Sequence, residues 1–478
     1  MPVNRIPSEV LSLIPDYCDD GEDDEDADQD LITLTHVCRS WRDIFISRSS
    51  LWTCLDCTNV DKTRIYIQRS KSSPLEITIN DSYLDDAFFP VTPHIRRIKS
   101  LIIRADALPG ALRYFYCHTP LLKELIINLT CTHPPTLNST LFNGDLSSLR
   151  SLSLSGVITH LPWKNLENLT TFNLKSYCTG RDFVTRLLNF FENAPLLRTI
   201  TLEGSIPESS DAPSGRIVPL PHLSVLVITA NPVHSTLLNH LRIPTEASLV
   251  LEFTFSGEQS PLQDCLPKTS ANLGNLSHIT AINLRFDTTQ KFMRMSGPSG
   301  ELRVLARWKE GTISHTTDRR ILCSLDPFIL STTHRLTVSR YEHRRLPQVE
   351  QCPVFQTLSS VNNLHTLVLT ECLNLPFILA LNPEENSSKR VLCPNLEELI
   401  LYIKSRDQFH IKHLIDMAKN RTLRSAKLSS VAIVGLGELV PGKEIFKLRK
   451  YIRRVQYSID DLPPEWDHLP GESSNESE

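Results

Sequence analysis

The chain has 478 residues, of which 40% are hydrophobic, and it contains 31 prolines but only 16 glycines. Scarce glycine disfavours a nucleotide-binding fold, whose phosphate turns need glycine, whereas frequent proline suits a repeat array with many loops. The formal net charge is −4; without the nine acids of residues 19–30 and the seven of 459–478, the remaining residues carry +12. This excess is spread too thinly to indicate a nucleic-acid-binding protein.

The apolar runs are short. None approaches the roughly 18–20 residues that span a bilayer, and the first residues lack the apolar core of a signal peptide. We therefore expect an intracellular protein, cytoplasmic or nuclear, that does not enter a membrane. The 12 cysteines are then expected to be reduced and to act mainly as small buried hydrophobes.

The N-terminal 57 residues predict two helices around an acidic insert. The first covers residues 6–14, with Pro7 at a position where a missing N–H costs nothing and with Val10, Leu11 and Ile14 on one face. Residues 19–30 contain nothing apolar to pack, so we expect a solvated loop.

A second helix is predicted from about Asp30 onward. Its apolar residues recur at spacings of three and four and predict one continuous stripe: Leu31, Leu34, Val37, Cys38, Trp41, Ile44 and Phe45. Leu51 and Trp52 extend the apolar character of this segment. Because so short a segment cannot bury all these groups by itself, the stripe either binds a partner or packs on the residues that follow. The pattern alone leaves both possibilities open.

The same segment resembles the F-box family. Four blocks occur in the right order and spacing: Ile6-Pro7-x-Glu9-Val10-Leu11-x-x-Ile14, Asp30-Leu31-Ile32-x-Leu34, Val37-Cys38-Arg39-x-Trp41-Arg42 and Ser50-Leu51-Trp52. The acidic insert departs from the short turn usual in the family. The resemblance implies docking to a Skp-family adaptor and, through it, to a cullin–RING ubiquitin ligase. The expected adaptor-binding residues are Ile6, Pro7, Val10, Leu11, Ile14, Leu31, Leu34, Val37, Cys38, Trp41, Leu51 and Trp52.

A connecting segment is expected at 58–74, with a helix near Lys62–Ser70, and a repeated L-x-x-L-x-L pattern follows over 75–458. The pattern begins at Ile98, Leu122, Leu149, Leu169, Leu197, Leu223, Ile279, Leu364, Leu396 and Leu423. The first six starts are 24, 27, 20, 28 and 26 residues apart, and the last three are 32 and 27 apart. These intervals overlap or slightly exceed the roughly 20–29 residues of leucine-rich repeats.

The last two apolar positions of the pattern lie two residues apart and therefore point to the same side of a short strand. Helices are predicted between strands at 182–191 and 408–420. The predicted fold is α/β: F-box helices followed by an irregular leucine-rich-repeat solenoid, with parallel strands on the concave side and helices on the convex side. The pattern is degenerate over 243–350, where loops are expected at Ser256–Ser270 and Thr288–Gly300. The alternative is an ordinary α/β domain with leucine-rich strands.

No catalytic, cofactor-binding or metal-binding residue is predicted. Cys54-x-x-Cys57 lacks the second ligand pair of a zinc site. Gly437-x-x-x-x-Gly442-Lys443 offers half of a phosphate loop, but Pro441 and Glu444 oppose a phosphate, so a final strand and turn is expected there. A basic cluster at 443–454 suits either a polar cap on the array or a site for an acidic ligand.

These features predict an interaction protein rather than an enzyme, namely a substrate-receptor subunit of an SCF-type ubiquitin ligase. A free-standing repeat scaffold, whose N-terminal helices only cap the array, is the alternative. Residues 459–478 predict an acidic, solvated tail, in which Trp466 is the residue most able to pack back onto the last repeat.

Overall fold

The structure is a computed structural model. It describes residues 31–57, 59–80, 89–106, 117–131, 133–137, 141–144, 146–159, 164–175, 182–204, 215–230, 235–255, 272–286, 290–308, 332–340, 353–370, 372, 374–385, 390–403, 410–435 and 442–458. The chain divides into two compact units, Met1–Leu223 and Ser224–Glu478. The predicted first helix, acidic insert, Ser256–Ser270 loop and acidic tail lie outside the described residues.

In the described part of the chain helices are few and mostly short, and those that follow helical residues 31–36 are labelled in order. They are α1 (Arg39–Ser47), α2 (Val60–Arg69), α3 (Phe183–Glu192), α4 (Ser235–Leu238), α5 (Pro353–Ser360), α6 (Leu375–Leu381), α7 (Ile411–Leu423) and α8 (Gly442–Leu448). The helices predicted near 62–70, 182–191 and 408–420 are therefore confirmed, with boundaries shifted by one to three residues. Among the described helices, none combines the length and apolar character needed to cross a bilayer.

Strands account for most of the remaining regular structure. They are β1 (Cys54–Asp56), β2 (Leu75–Ile79), β3 (Ile98–Ala105), β4 (Glu124–Leu129), β5 (Thr136–Leu137), β6 (Ser151–Ser155), β7 (Ile158–Thr159), β8 (Thr171–Lys175), β9 (Thr199–Gly204), β10 (Val218–Pro219), β11 (Val225–Ala230), β12 (Leu241–Arg242), β13 (Ser248–Phe255), β14 (Ala281–Phe286), β15 (Gln290–Ser296), β16 (Glu301–Trp308), β17 (Arg335–Ser339), β18 (Thr366–Thr370), β19 (Glu398–Tyr402), β20 (Ser430–Val434) and β21 (Arg454–Ser458).

In the first unit, β1, β2, β3, β4, β6, β8 and β9 pair in that order, and every pair is parallel. Equivalent apolar positions are in register across the sheet, as in the row Leu101, Leu125, Leu152, Phe172 and Ile200. All five side chains are fully buried. Each strand therefore adds its leucine positions to one continuous core, and the prediction of a mixed α/β fold with parallel strands is confirmed.

Backbone hydrogen bonds link equivalent positions of successive strands at the predicted intervals. The Lys123 N–H donates to Lys99 O at 2.7 Å and the Arg150 N–H to Lys123 O at 2.7 Å. The Thr170 N–H then donates to Arg150 O and the Arg198 N–H to Thr170 O, both at 2.8 Å. Since each bond joins the beginning of one strand to the beginning of the next, unequal repeat lengths are absorbed elsewhere in the loops.

The second unit contains one departure from sequential parallel pairing. β13 pairs with β16 rather than β14, and β15 lies antiparallel between β14 and β16. The prediction of a loop at Thr288–Gly300 is therefore wrong. In β15, Met293 and Met295 are buried while Arg294 between them is exposed. This two-residue alternation is typical of a strand with one buried face.

Beyond this insertion, β14, β17, β18, β19, β20 and β21 pair in order, all parallel. One predicted repeat start is wrong here. Leu423 is the last residue of α7 and is 74% exposed, whereas Leu428 is buried before β20, in which Val431 and Ile433 point inward. The true interval from Leu396 to Leu428 is 32 residues, because a long helix occupies the space between the two strands.

α7 is joined to the neighbouring turn through a buried arginine. The Arg421 side chain is fully buried and donates from Nη1 to Leu392 O and from Nη2 to Cys393 O, both at 2.8 Å. Its Nε donates to Ala426 O at 3.2 Å. Burial lowers the pKa of this guanidinium. The guanidinium thus provides donors for Leu392 O and Ala426 O, and a second donor for Cys393 O, which also accepts from the Leu396 N–H at 3.0 Å.

Candidate functional site

The predicted second helix is broken at Val37 and Cys38. Residues 31–36 are helical, but Cys38 is extended (φ −159°, ψ 172°) and begins α1 as its N-cap. Its Sγ accepts a hydrogen bond from the Trp41 N–H at 3.5 Å. The expectation of one continuous stripe is corrected, because the break turns the Val37 side chain outward, where it is 52% exposed.

α1 has a buried and a half-buried aromatic residue one helical turn apart. Phe45 is fully buried, and the half-buried Trp41 contacts it edge-on, with 5.7 Å between the ring centroids. Residues four apart on a helix lie on the same face, so Trp41 forms the outer layer over Phe45.

Trp52 is an internal residue. It ends a 3-10 turn, Ser49–Trp52, is fully buried, and donates from Nε1 to Phe45 O at 2.9 Å. Tyr66 of α2 meets its ring edge-on at 4.9 Å, and the Arg69 guanidinium lies 4.3 Å from its centroid. The expectation that the Trp52 side chain faces an adaptor is therefore corrected, because its whole surface is used in packing.

Polar contacts join residues 49–57, which include β1, to residues 73–78, which include most of β2. Ser49 Oγ lies 2.9 Å from Ser73 Oγ, and the Glu76 N–H donates to Thr53 O at 2.9 Å. The Cys57 N–H donates to Thr78 O at the same distance. Residues 58–74, expected to be a separate connection, contain α2, which packs on the 3-10 turn and on β1. The predicted border after residue 57 thus falls inside a hydrogen-bonded unit.

The predicted adaptor-binding residues fall into three groups. Outside the described residues are Ile6, Pro7, Val10, Leu11 and Ile14. Buried are Leu31 and Trp52, and partly or well exposed are Leu34, Val37, Cys38, Trp41 and Leu51. We call the last five the docking face. Its side chains are apolar apart from the Cys38 thiol, and Trp41 among them contacts the buried Phe45.

The residues Cys54 and Cys57 differ in environment. Cys54 is exposed, whereas burial raises the pKa of the Cys57 thiol to about 12, so it stays protonated near neutral pH. A protonated thiol is neither a nucleophile nor a good metal ligand. Nor do the described residues bring together three or more His, Cys, Asp or Glu side chains as a metal site would require.

The glycine that precedes the candidate phosphate loop has a structural role. Gly435 follows β20 with φ +105°, and a Cβ at this position would clash with Ile403 O. Its N–H donates to Ser458 O at 3.0 Å. A strand and a turn occur at Gly435 as predicted, but the strand is not the final one, because β21 pairs with β20. Residues 436–441 lie outside the described part of the chain.

The packing of Tyr66 and Arg69 on the Trp52 ring was not predicted from the sequence. The signal was present as Trp52-x-x-Leu55-x-Cys57, in which Leu55 and Cys57 are buried like the last two leucines of the repeat pattern. Trp52 therefore occupies the first leucine position of the first strand unit. A tryptophan in place of leucine conceals the pattern.

The comparisons with known proteins agree with this geometry. Residues 3–58 match a family model described as F-box-like. No curated protein matches the chain. The matched range includes the docking face, the buried Phe45–Trp52 pair and β1. The chain therefore contains an F-box-like domain at residues 3–58.

Proposed function

We propose that the chain is a substrate-receptor subunit of a cullin–RING ubiquitin ligase, with its F-box-like domain bound to a Skp-family adaptor. The observation that supports this most directly is the docking face. After Phe45 and Trp52 have satisfied the domain's internal packing, Val37 and Trp41 remain accessible at its surface. F-box domains typically bind such adaptors through apolar helical surfaces. The protein would contribute proximity, by raising the local concentration of substrate near the ligase.

The strand ladder is proposed to be a leucine-rich-repeat-like solenoid that binds the substrate. Its support is the combination of parallel in-register strands with hydrogen-bonded turns at intervals of 20–28 residues in the first unit. The outward positions of β6, β8 and β9 bring the hydroxyls of Ser151, Thr171 and Thr199 into one row. Hydroxyl groups donate and accept hydrogen bonds, so this row suits a polar protein segment.

The test measures binding of a purified Skp-family adaptor to the full chain by surface-immobilised capture. Val37→Asp places a charge on the docking face, and Trp41→Ala removes its largest side chain. Since central aromatic residues commonly cost about 2 kcal/mol or more when truncated, we expect each change to weaken adaptor binding at least tenfold. Circular dichroism shows whether the fold is retained.

Ile65→Asp is the matched control, because Ile65 is an apolar residue of α2 with 45% exposure and lies outside the docking face. It should leave adaptor affinity unchanged. Equal losses in Ile65→Asp and Val37→Asp would show that any surface charge interferes and would remove the docking face from the proposal.

A free-standing scaffold remains the second candidate, and one observation favours it. Trp52 is bonded to Phe45 O and packs on Tyr66 of α2, as it would if the N-terminal helices served only to cover the start of the sheet. Adaptor capture by the unmodified chain separates the two functions. If the unmodified chain captures no adaptor, the ligase function is wrong and the scaffold replaces it.

A further inference from the structure

The C-terminal end of the second unit has a concentration of positive charge. Residues 443–454 contain one acid, Glu444, and six bases, all exposed: Lys443, Lys447, Arg449, Lys450, Arg453 and Arg454. We call these six bases the basic cap. Within the described residues none of them forms an ion pair. Six like charges on α8 and the start of β21 repel one another, so an anionic partner would stabilise this surface.

Apolar groups lie beside these charges. Phe446 of α8 is 67% exposed and Leu423, at the end of the adjacent helix α7, is 74% exposed. Lys450 Nζ lies 5.9 Å from the centre of the Phe446 ring. Among the described large apolar side chains, Leu423 is the most exposed, and Phe446 is as exposed as Phe89. A partner that combines acidic and apolar groups would fit this surface better than a simple anion.

We propose that this surface is occupied by the chain's own acidic tail, residues 459–478. The tail holds seven acids and no lysine or arginine, which complements the cap. Its apolar residues include Leu462 and Trp466, which lie among the acids. The tail thus offers acids for the basic cap and apolar groups for Phe446 and Leu423.

The covalent connection between the acidic tail and the basic cap favours the tail as the occupant of this surface. β21 ends at Ser458, so the tail begins directly after the last strand. Twenty extended residues reach roughly 66–72 Å, several times the length of α8 or β21. A tethered ligand of this length acts at an effective concentration on the order of millimolar. A free acidic peptide would therefore have to compete with the tail for the cap.

The test uses a fluorescently labelled peptide of residues 459–478 and measures its binding by anisotropy at low salt. The full chain is compared with a full-length variant in which the seven tail acids are replaced by their amides (Asp→Asn, Glu→Gln). We expect the peptide to bind the amide variant at least tenfold more tightly than the unmodified chain, whose cap is already occupied. Added salt should weaken this binding, since the attraction is between exposed charges.

Charge reversal identifies the surface. In the amide variant, Lys447→Glu with Lys450→Glu and Arg453→Glu should abolish peptide binding. The matched control reverses three exposed bases of the first unit, Arg150, Lys164 and Arg198, and should leave binding intact. Equal peptide affinity for the unmodified and amide chains would refute the tail as occupant. Absence of peptide binding to the amide variant would refute the cap as a site for acidic segments.

Discussion

Replacing Trp52 by alanine should loosen the junction between the F-box-like domain and the sheet. The change removes a fully buried indole, its 2.9 Å hydrogen bond to Phe45 O, and its contacts with Tyr66 and Arg69. Removing a buried tryptophan typically costs about 3–5 kcal/mol, which includes the cavity it leaves. The Phe45 carbonyl also loses its indole donor. We therefore expect a local destabilisation of about 3 kcal/mol or more.

Hydrogen–deuterium exchange measures this loss at the junction itself. The amides of Cys57 and Glu76 bridge β1 and β2, so their exchange reports opening at this position. A loss of about 3 kcal/mol corresponds to exchange roughly a hundredfold faster. Leu51→Ala serves as control, because its half-buried side chain should leave exchange within a few fold of the unmodified chain. If Trp52→Ala also changes exchange less than threefold, the role given to Trp52 is wrong.

Three further predictions concern single positions. Arg421→Met removes the side-chain donors to Leu392 O and Ala426 O and one of the two donors to Cys393 O, and should lower the free energy of unfolding by about 2–4 kcal/mol, measured by urea denaturation; an unchanged midpoint would contradict the role of the guanidinium. Gly435→Ala should lower the thermal midpoint more than Gly215→Ala, because both have positive φ but only the Gly435 Cβ would meet a backbone oxygen, and equal shifts would exclude that clash. The raised pKa of Cys57 favours the folded state below the ordinary thiol pKa of 9.0, and this contribution is lost as pH rises towards 12. Cys57→Ala should therefore reduce the decline in stability between pH 9 and 12, and an unaltered slope would argue against it.

Much of the sheet could be predicted from the sequence because the spacing of the leucines follows from the geometry of the strands. In Leu149-x-x-Leu152-x-Leu154, all three side chains are fully buried, as the pattern requires. The helix Phe183–Glu192 was predictable for the same reason, since its apolar positions follow a helical period.

Other features depend on contacts between distant segments, and the local sequence indicates them less clearly. Nothing local specifies that β15 runs antiparallel between β14 and β16, because either direction buries Met293 and Met295. Leu423 fits the spacing of a repeat start, yet α7 extends to include it, and only the burial of Leu428 decides the register. The helix break at Cys38 was hidden because its flanking residues keep helical spacing on both sides.

Trp52 lies just before β1, and this position has a practical consequence for protein engineering. An F-box-like domain is usually regarded as a portable module that can be cut at its family border and fused to another protein. In this chain such a cut at residue 58 would separate Trp52 from Tyr66 and Arg69 and expose an aromatic ring. A transplant that keeps residues through Ile79 retains α2 and β2 and therefore the whole environment of the tryptophan. The smallest transferable piece of this protein is thus longer than the family match suggests.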